Sequence, residues 1–245
     1  MSVSGPSSDT GFGRAARASG EHSAVPLGPQ HLDAVCALHR RLHELAPRPG
    51  LFAVESREFF ARHLEQDGRI LGVFDAQGEL TAYAVLGLPR ADDPENFGRD
   101  IGLPEGELGT VAHLDGIGVH PEWRGHGLHR ALISERIALA TAAGRRVVLS
   151  MAAPGNRWSL GNLLASGGEV VALIPKYGAM RFVVRYRQSP GPTPSGPAVP
   201  LDDLERHAAL LAEGWRGVAL ETADSGEADS GEAKLLYAAG DGTGP

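Results

Sequence analysis

The run Val119-His120-Pro121-Glu122-Trp123-Arg124-Gly125-His126-Gly127-Leu128-His129 constrains this chain more than any other segment. A β-branched stretch over 111–119 ends at Val119, and Pro121 cannot continue a ladder. Two glycines then flank His126 directly before a long apolar stretch of helical period. A strand must turn sharply into a helix here. Such a turn aims successive backbone N–H groups and a helix N-terminus into one space, which suits a phosphate or pyrophosphate. Side chains at 125 and 127 would obstruct that approach. A tight turn without a ligand explains two glycines equally well, so the turn alone does not decide.

The flanking pattern sets the architecture. A short strand at 23–27 leads to a helix over 29–46, with Leu32, Val35, Leu42 and Leu45 on one face and Pro47 and Pro49 as its stop. Ser56 caps a second helix carrying Phe59, Phe60 and Leu64. Residues 69–74 and 80–88 pair through the turn signal Gln77-Gly78, and a loop rich in Asp, Pro and Gly occupies 90–109. After the strand at 111–119 come a helix to 143, a strand at 146–151, a short helix at 159–166, and closing strands at 170–174 and 180–186. Hairpins mixed with strand–helix–strand crossovers require an α/β fold with a mixed, helix-covered sheet.

Outside this region the composition changes. Ten of the first 22 residues are Gly, Ser or Pro, which predicts a disordered tail over 1–22. Five prolines in 13 residues make 188–200 a stiff linker. Residues 201–245 offer an amphipathic helix over 201–213 and strands at 215–220 and 234–239, separated by a tandem Ala-Asp-Ser-Gly-Glu repeat at 223–232. This α-β-β appendage is too small for a core of its own and is expected to dock on the main domain, 23–187.

Composition narrows the function classes. The 245 residues are 42% hydrophobic with a net charge of −7, which argues against a dedicated nucleic-acid binder. Cys36 is the single cysteine, so neither an intrachain disulfide nor a thiolate zinc cluster can form. No signal-peptide core and no stretch of 18 apolar residues occurs, so a cytoplasmic protein without membrane attachment is expected. His39 and His43 have i, i+4 spacing but lack a third ligand, and no metal is expected.

The glycine turn resembles the acyl-coenzyme-A signature of the GNAT superfamily of N-acyltransferases, Arg/Gln-x-x-Gly-x-Gly/Ala after an apolar strand ending in Val-x-Pro. Arg124, Gly127 and His129 stand at its defined positions. His129 departs from the family's small residue there, so it must point away from the pyrophosphate or narrow that end. Downstream, a strand over 147–151, Asn156, Ser159 and Gly167-Gly168 follow the family order, although Gly168 stands where an aromatic is usual. The resemblance covers roughly 27–187. It implies a GNAT-type, mostly antiparallel twisted sheet with a V-shaped splay between the strands at 111–119 and 147–151. Pantetheine would lie in the splay on the backbone of Ile117 and Val119. Pyrophosphate would sit on the amides of Arg124, Gly125, His126, Gly127, Leu128 and His129, and Asn156 and Ser159 would face the pantetheine arm. Asn156 and Ser159 also fit a simple helix cap.

Direct acyl transfer needs an amine made neutral and a thiolate released. Over 111–119 the odd positions, Val111, His113, Asp115, Ile117 and Val119, share one face. Family members with a base on this strand carry a glutamate six residues before the final valine, which corresponds to His113. Its imidazole, with Asp115 beside it, suits proton removal; a packed core histidine is the competing interpretation. The family's tyrosine acid, seven residues after the Asn, is Leu163 here. Tyr177 is the nearest replacement, with Ser150 and Asn162 as weaker donors. The acids of the 90–109 loop would favour a cationic acceptor.

The expected activity is thus an N-acyltransferase using acetyl-CoA or another acyl-CoA on a small-molecule amine. An acyl carrier protein or aminoacyl-tRNA as donor, a catalytically silent coenzyme-A-binding module, and a homodimeric assembly are the alternatives carried alongside it.

Overall fold

The computed structural model describes residues 23–46, 50–51, 53–187, 191–222 and 233–240. The expected tail and the acidic repeat lie outside them. Strand β1 (Val25–Pro26) precedes a 3-10 turn at Pro29–His31 and helix α1 (Leu32–Glu44), which buries Val35, Leu38 and Leu42. Helix α2 (Arg57–Glu65) is capped by Ser56, whose hydroxyl accepts from the Phe59 amide. Strands β2 (Gly68–Phe74) and β3 (Leu80–Gly87) form an antiparallel hairpin. The following loop holds two four-residue helices, α3 (Phe97–Asp100) and α4 (Glu105–Leu108). Then come β4 (Val111–Val119), a 3-10 turn at Pro121–Trp123, α5 (Leu128–Ala142), β5 (Val147–Ala152), α6 (Arg157–Ala165), β6 (Gly168–Lys176) and β7 (Ala179–Tyr186).

These strands belong to one ten-stranded sheet of order β1-β2-β3-β4-β5-β7-β6-β9-β10-β8. Its last members are β8 (Ala198–Pro200), β9 (Trp215–Thr222) and β10 (Ala233–Ala239). Among the described residues only β4 and β5 run parallel, and every other pair is antiparallel. The end of the expected linker is itself strand β8. Helix α7 (Leu204–Ala212) starts three residues later than the periodicity suggests, because Asp203 caps it by accepting from the Arg206 amide. The C-terminal elements continue the same sheet through Val170 opposite Gly217. Leu201, Leu210 and Leu211 share a core with Ile133, Leu160 and Leu164.

Two details of β4 position everything that follows. Its pairing with β5 runs from Val111 opposite Val147 to Leu114 opposite Ser150, while β4 continues to Val119 and β5 to Ala152. Beyond Leu114 the strands form an open fork. Against β3, Leu114 faces Leu86 and Ile117 faces Ala84, so two β4 residues, Asp115 and Gly116, oppose one β3 residue. This bulge shifts the alternation. Ala112 and Leu114 pack with Ile133 and Ala140 of α5 before it, and Ile117 and Val119 pack with Leu128 and Leu132 of α5 after it. The expectation that positions 111 to 119 share one face by parity is therefore corrected: it holds only up to the bulge.

Candidate active site

The fork opens into a cleft of about 1160 Å³, ample for a large nucleotide thioester and an acceptor together. One end is the glycine turn. Gly125 (φ +81°) and Gly127 (φ +77°) are left-handed, and a β-carbon at either would meet nothing within 4 Å. Glycine here serves backbone shape and keeps the approach open. The Arg124 amide donates to the Pro121 carbonyl, and its Nε lies 3.3 Å from the Val119 carbonyl. Arg124 is thus engaged within the turn. The amides of Gly125 through Arg130 find no acceptor among the described residues. These six N–H groups are left unpaired in the turn, whereas the Arg124 amide of the expected set is used within it.

His129 lines the cleft with its Nδ1 buried and unpartnered, and burial pushes its pKa down to about 4. Across the fork, Asn156 caps α6 by accepting from the Ser159 amide, and its Nδ2 donates to the Leu51 carbonyl. Capping and lining coincide, since Asn156 and Ser159 both border the cleft. At the apex the Ser150 hydroxyl donates to the Leu114 carbonyl at 2.8 Å, and Asn162 Nδ2 donates to the Trp158 carbonyl. The Ser150 hydroxyl is thereby used as a donor, as is one of the two Asn162 side-chain N–H groups. Arg136 of α5, 1% exposed, donates to the carbonyls of Val85 and Asp115 and so pins the bulge from beneath.

The acid–base groups gather on the other side of β4. Asp115 Oδ2 lies 3.7 Å from His63 Nε2 and 3.9 Å from His113 Nδ1, too long for hydrogen bonds. Gly87 makes room for this carboxyl, since a β-carbon there would stand 2.5 Å from Oδ2. Burial, reinforced by the charge of Glu55, lifts Asp115 to about 7. Both histidines are held neutral by burial, His113 down to about 3. His63 Nδ1 donates to the Phe59 carbonyl, leaving a lone pair on Nε2 facing Asp115.

His113 does not border the cleft. Its ring stacks on Phe97 at 3.7 Å, and its Nε2 accepts from the Phe97 amide at 3.0 Å. The geometry makes it a packed core histidine beside the acid. Tyr177 lies at the β6–β7 turn with φ +54°, half exposed, at the rim of the cleft. Four of the six acids of the 90–109 loop are engaged in ion pairs: Asp92 with Arg90, Glu105 with Arg99, and Glu95 and Asp100 with Lys176. It is Phe97 that this loop sends to the cleft.

Sequence reading missed four groups here: Glu55, His63, Tyr83 and Arg136. Glu55 lines the cleft with burial alone raising its pKa. Its backbone N–H donates to His39 Nε2 at 3.0 Å, and His39 Nδ1 lies 2.7 Å from the Tyr83 hydroxyl. No motif marks these residues, because each reaches the site from a different element. Among the described residues no group of three or more His, Cys, Asp or Glu could hold a metal ion, and no helix is long and apolar enough to cross a membrane.

The model of the acetyltransferase (GNAT) family matches residues 33–161, just over half of the chain. A search of curated proteins returned no match. Among solved structures, the chain is similar to a GNAT superfamily phosphinothricin acetyltransferase from Sinorhizobium meliloti in complex with acetyl-CoA, at TM-score 0.52 and 19% identity, covering 70% of this chain and 93% of that one. It is also similar to a ribosomal-protein-alanine N-acetyltransferase from Brucella melitensis (TM-score 0.50, 19% identity, 66% and 97% covered). A third is NAA60 of Arabidopsis thaliana in complex with acetyl-CoA (TM-score 0.51, 16% identity, 68% and 98% covered). At such identities the likeness is one of fold.

Proposed function

Because the chain belongs to the acetyltransferase (GNAT) family, we propose that it transfers an acetyl or other acyl group from an acyl-CoA to the amine of a small molecule. The carrying observation is the fork between β4 and β5, with free amides at its mouth and a carboxyl of raised pKa beside its apex. These residues fit the co-substrate: unpaired N–H groups and open space stand where a pyrophosphate would bind. Acyl-CoA supplies an activated thioester. The chain supplies position and proton handling.

The amides of Gly125–Arg130 would hold the pyrophosphate, and the backbone of Ile117 and Val119, beyond the last β4–β5 pair, would hold the pantetheine arm. Asp115, poised near neutrality, takes the proton from the attacking amine. The lone pair on His63 Nε2 faces the proton that Asp115 acquires. Glu55, without a cationic partner among the described residues, adds a second carboxyl to the acceptor end and favours a cationic amine. The test is incubation of the purified protein with acetyl-CoA and a panel of small amines, followed by free thiol and product mass. Thiol release matched by an acylated amine is the expected result; no transfer from any acyl-CoA tried removes the reading.

A further inference from the structure

One hydroxyl in the cleft is wired in a way the account above does not use. Tyr83 of β3 is 2% exposed and borders the cleft. Its ring lies across β4, over two positions that lack side chains. A β-carbon at Gly118 would stand 2.6 Å from Tyr83 Cε1 and 3.1 Å from Cζ, and one at Gly116 would stand 4.0 Å from Cε2. The far end of the ring thus lies over β4, where Tyr83 borders the cleft.

The direction of its proton follows from the neighbours. The Glu55 amide is an obligate donor and points at His39 Nε2, so Nε2 carries the lone pair. Burial keeps His39 neutral, with its pKa pushed down to about 4. Its one N–H therefore sits on Nδ1 and donates to Tyr83 Oη at 2.7 Å. The tyrosine proton must point elsewhere. No acceptor for it exists among the described residues, and the open direction is the cleft. A buried hydroxyl with an unused donor implies an acceptor that arrives from outside.

We propose that Tyr83 donates a hydrogen bond to the sulfur of the acyl thioester as it leaves, with His39 as the positioning residue that turns the hydroxyl outward. This rests on the acyl-transfer reading above. In the step, the amine lone pair forms the N–C bond and the C–S bond breaks with its electron pair on sulfur. The surplus amine proton goes to Asp115. Tyr83 keeps its own proton and stabilises the sulfur anion, which later takes a proton from solvent. Burial raises the pKa of Tyr83 far above that of free tyrosine, so it stays a neutral donor. Sulfur is the partner because the unpaired backbone of β4 lies in the sheet plane, within reach of a carbonyl oxygen. The ring approaches from above that plane.

The experiment is titration of the thiol of bound coenzyme A, read by thiolate absorbance, in the wild-type chain and in Tyr83→Phe. The bound thiol should be more acidic in the wild type by about one pH unit or more. His39→Leu, which keeps the hydroxyl but frees its rotation, should fall between the two and serves if Tyr83→Phe does not fold. With acetyl-CoA and an accepted amine, Tyr83→Phe should lower kcat roughly 10- to 100-fold with the KM for acetyl-CoA little changed. Equal thiol acidity in wild type and Tyr83→Phe overturns the proposal. A shifted thiol in a protein that acylates no amine would leave the hydrogen bond standing and remove the acyl-transfer reading instead.

Discussion

At the scale of single residues, the proposed base is Asp115 rather than His113. Asp115→Asn should cut turnover by about 10²–10⁴ and abolish the rising limb of kcat/KM near pH 7. The same shift predicts a stability effect of known sign. The folded-state pKa lies above the unfolded value of about 3.9, so the acid favours folding while protonated, and that contribution is lost as pH rises through 7. Asp115→Asn should thus raise the melting temperature relative to wild type at pH 8, by less at pH 5, and change it little at pH 4, close to the unfolded value. His113→Ala should do the reverse kinetically, keeping the rising limb. It strands the Phe97 amide and leaves a void beside the Phe97 ring, at a cost of about 2–4 kcal/mol in chemical unfolding. Both residues were legible as a pair on one strand. Which one meets the cleft was not, because that depends on a neighbouring ring, Phe97, contributed from the 90–109 loop.

At the scale of elements, most boundaries follow from local chemistry. The Ser56 cap, the turn at Gly78 and the helix after Gly127 stand where residue types place them. Helices α3 and α4 were not legible, since four residues carry no periodicity. The bulge in β4 left a single trace in the sequence, Gly116, which is equally compatible with an unbroken strand. The fit between β3 and β4 is a testable consequence of it. A methyl at Gly118 would stand 2.4 Å from Leu42 Cδ1 and 2.6 Å from the Tyr83 ring. Gly118→Ala should therefore displace the Tyr83 ring, lowering the melting temperature by several degrees and slowing turnover with the pH profile unchanged in shape. Wild-type stability and rate in this variant would show that the ring does not lie across the strand.

At the scale of the whole molecule, the C-terminal elements extend the main sheet and share its core. Truncation after residue 187 would uncover the β6 edge and the apolar surface under Leu201, Leu210 and Leu211. The truncated chain should aggregate by size-exclusion chromatography; a soluble monomer of wild-type melting temperature would contradict the shared core. The fork, the glycine turn and the capped helix across from it converge only in the assembled molecule, and their common purpose in this account is to hold an acyl-CoA. Calorimetric titration of acetyl-CoA into the wild-type chain and into Gly127→Glu measures that directly. One-to-one binding by the wild type is predicted, weakened at least tenfold, about 1.4 kcal/mol, where a carboxylate is placed among the free amides. Equal affinity in the two proteins, or no binding by the folded wild type, would contradict it.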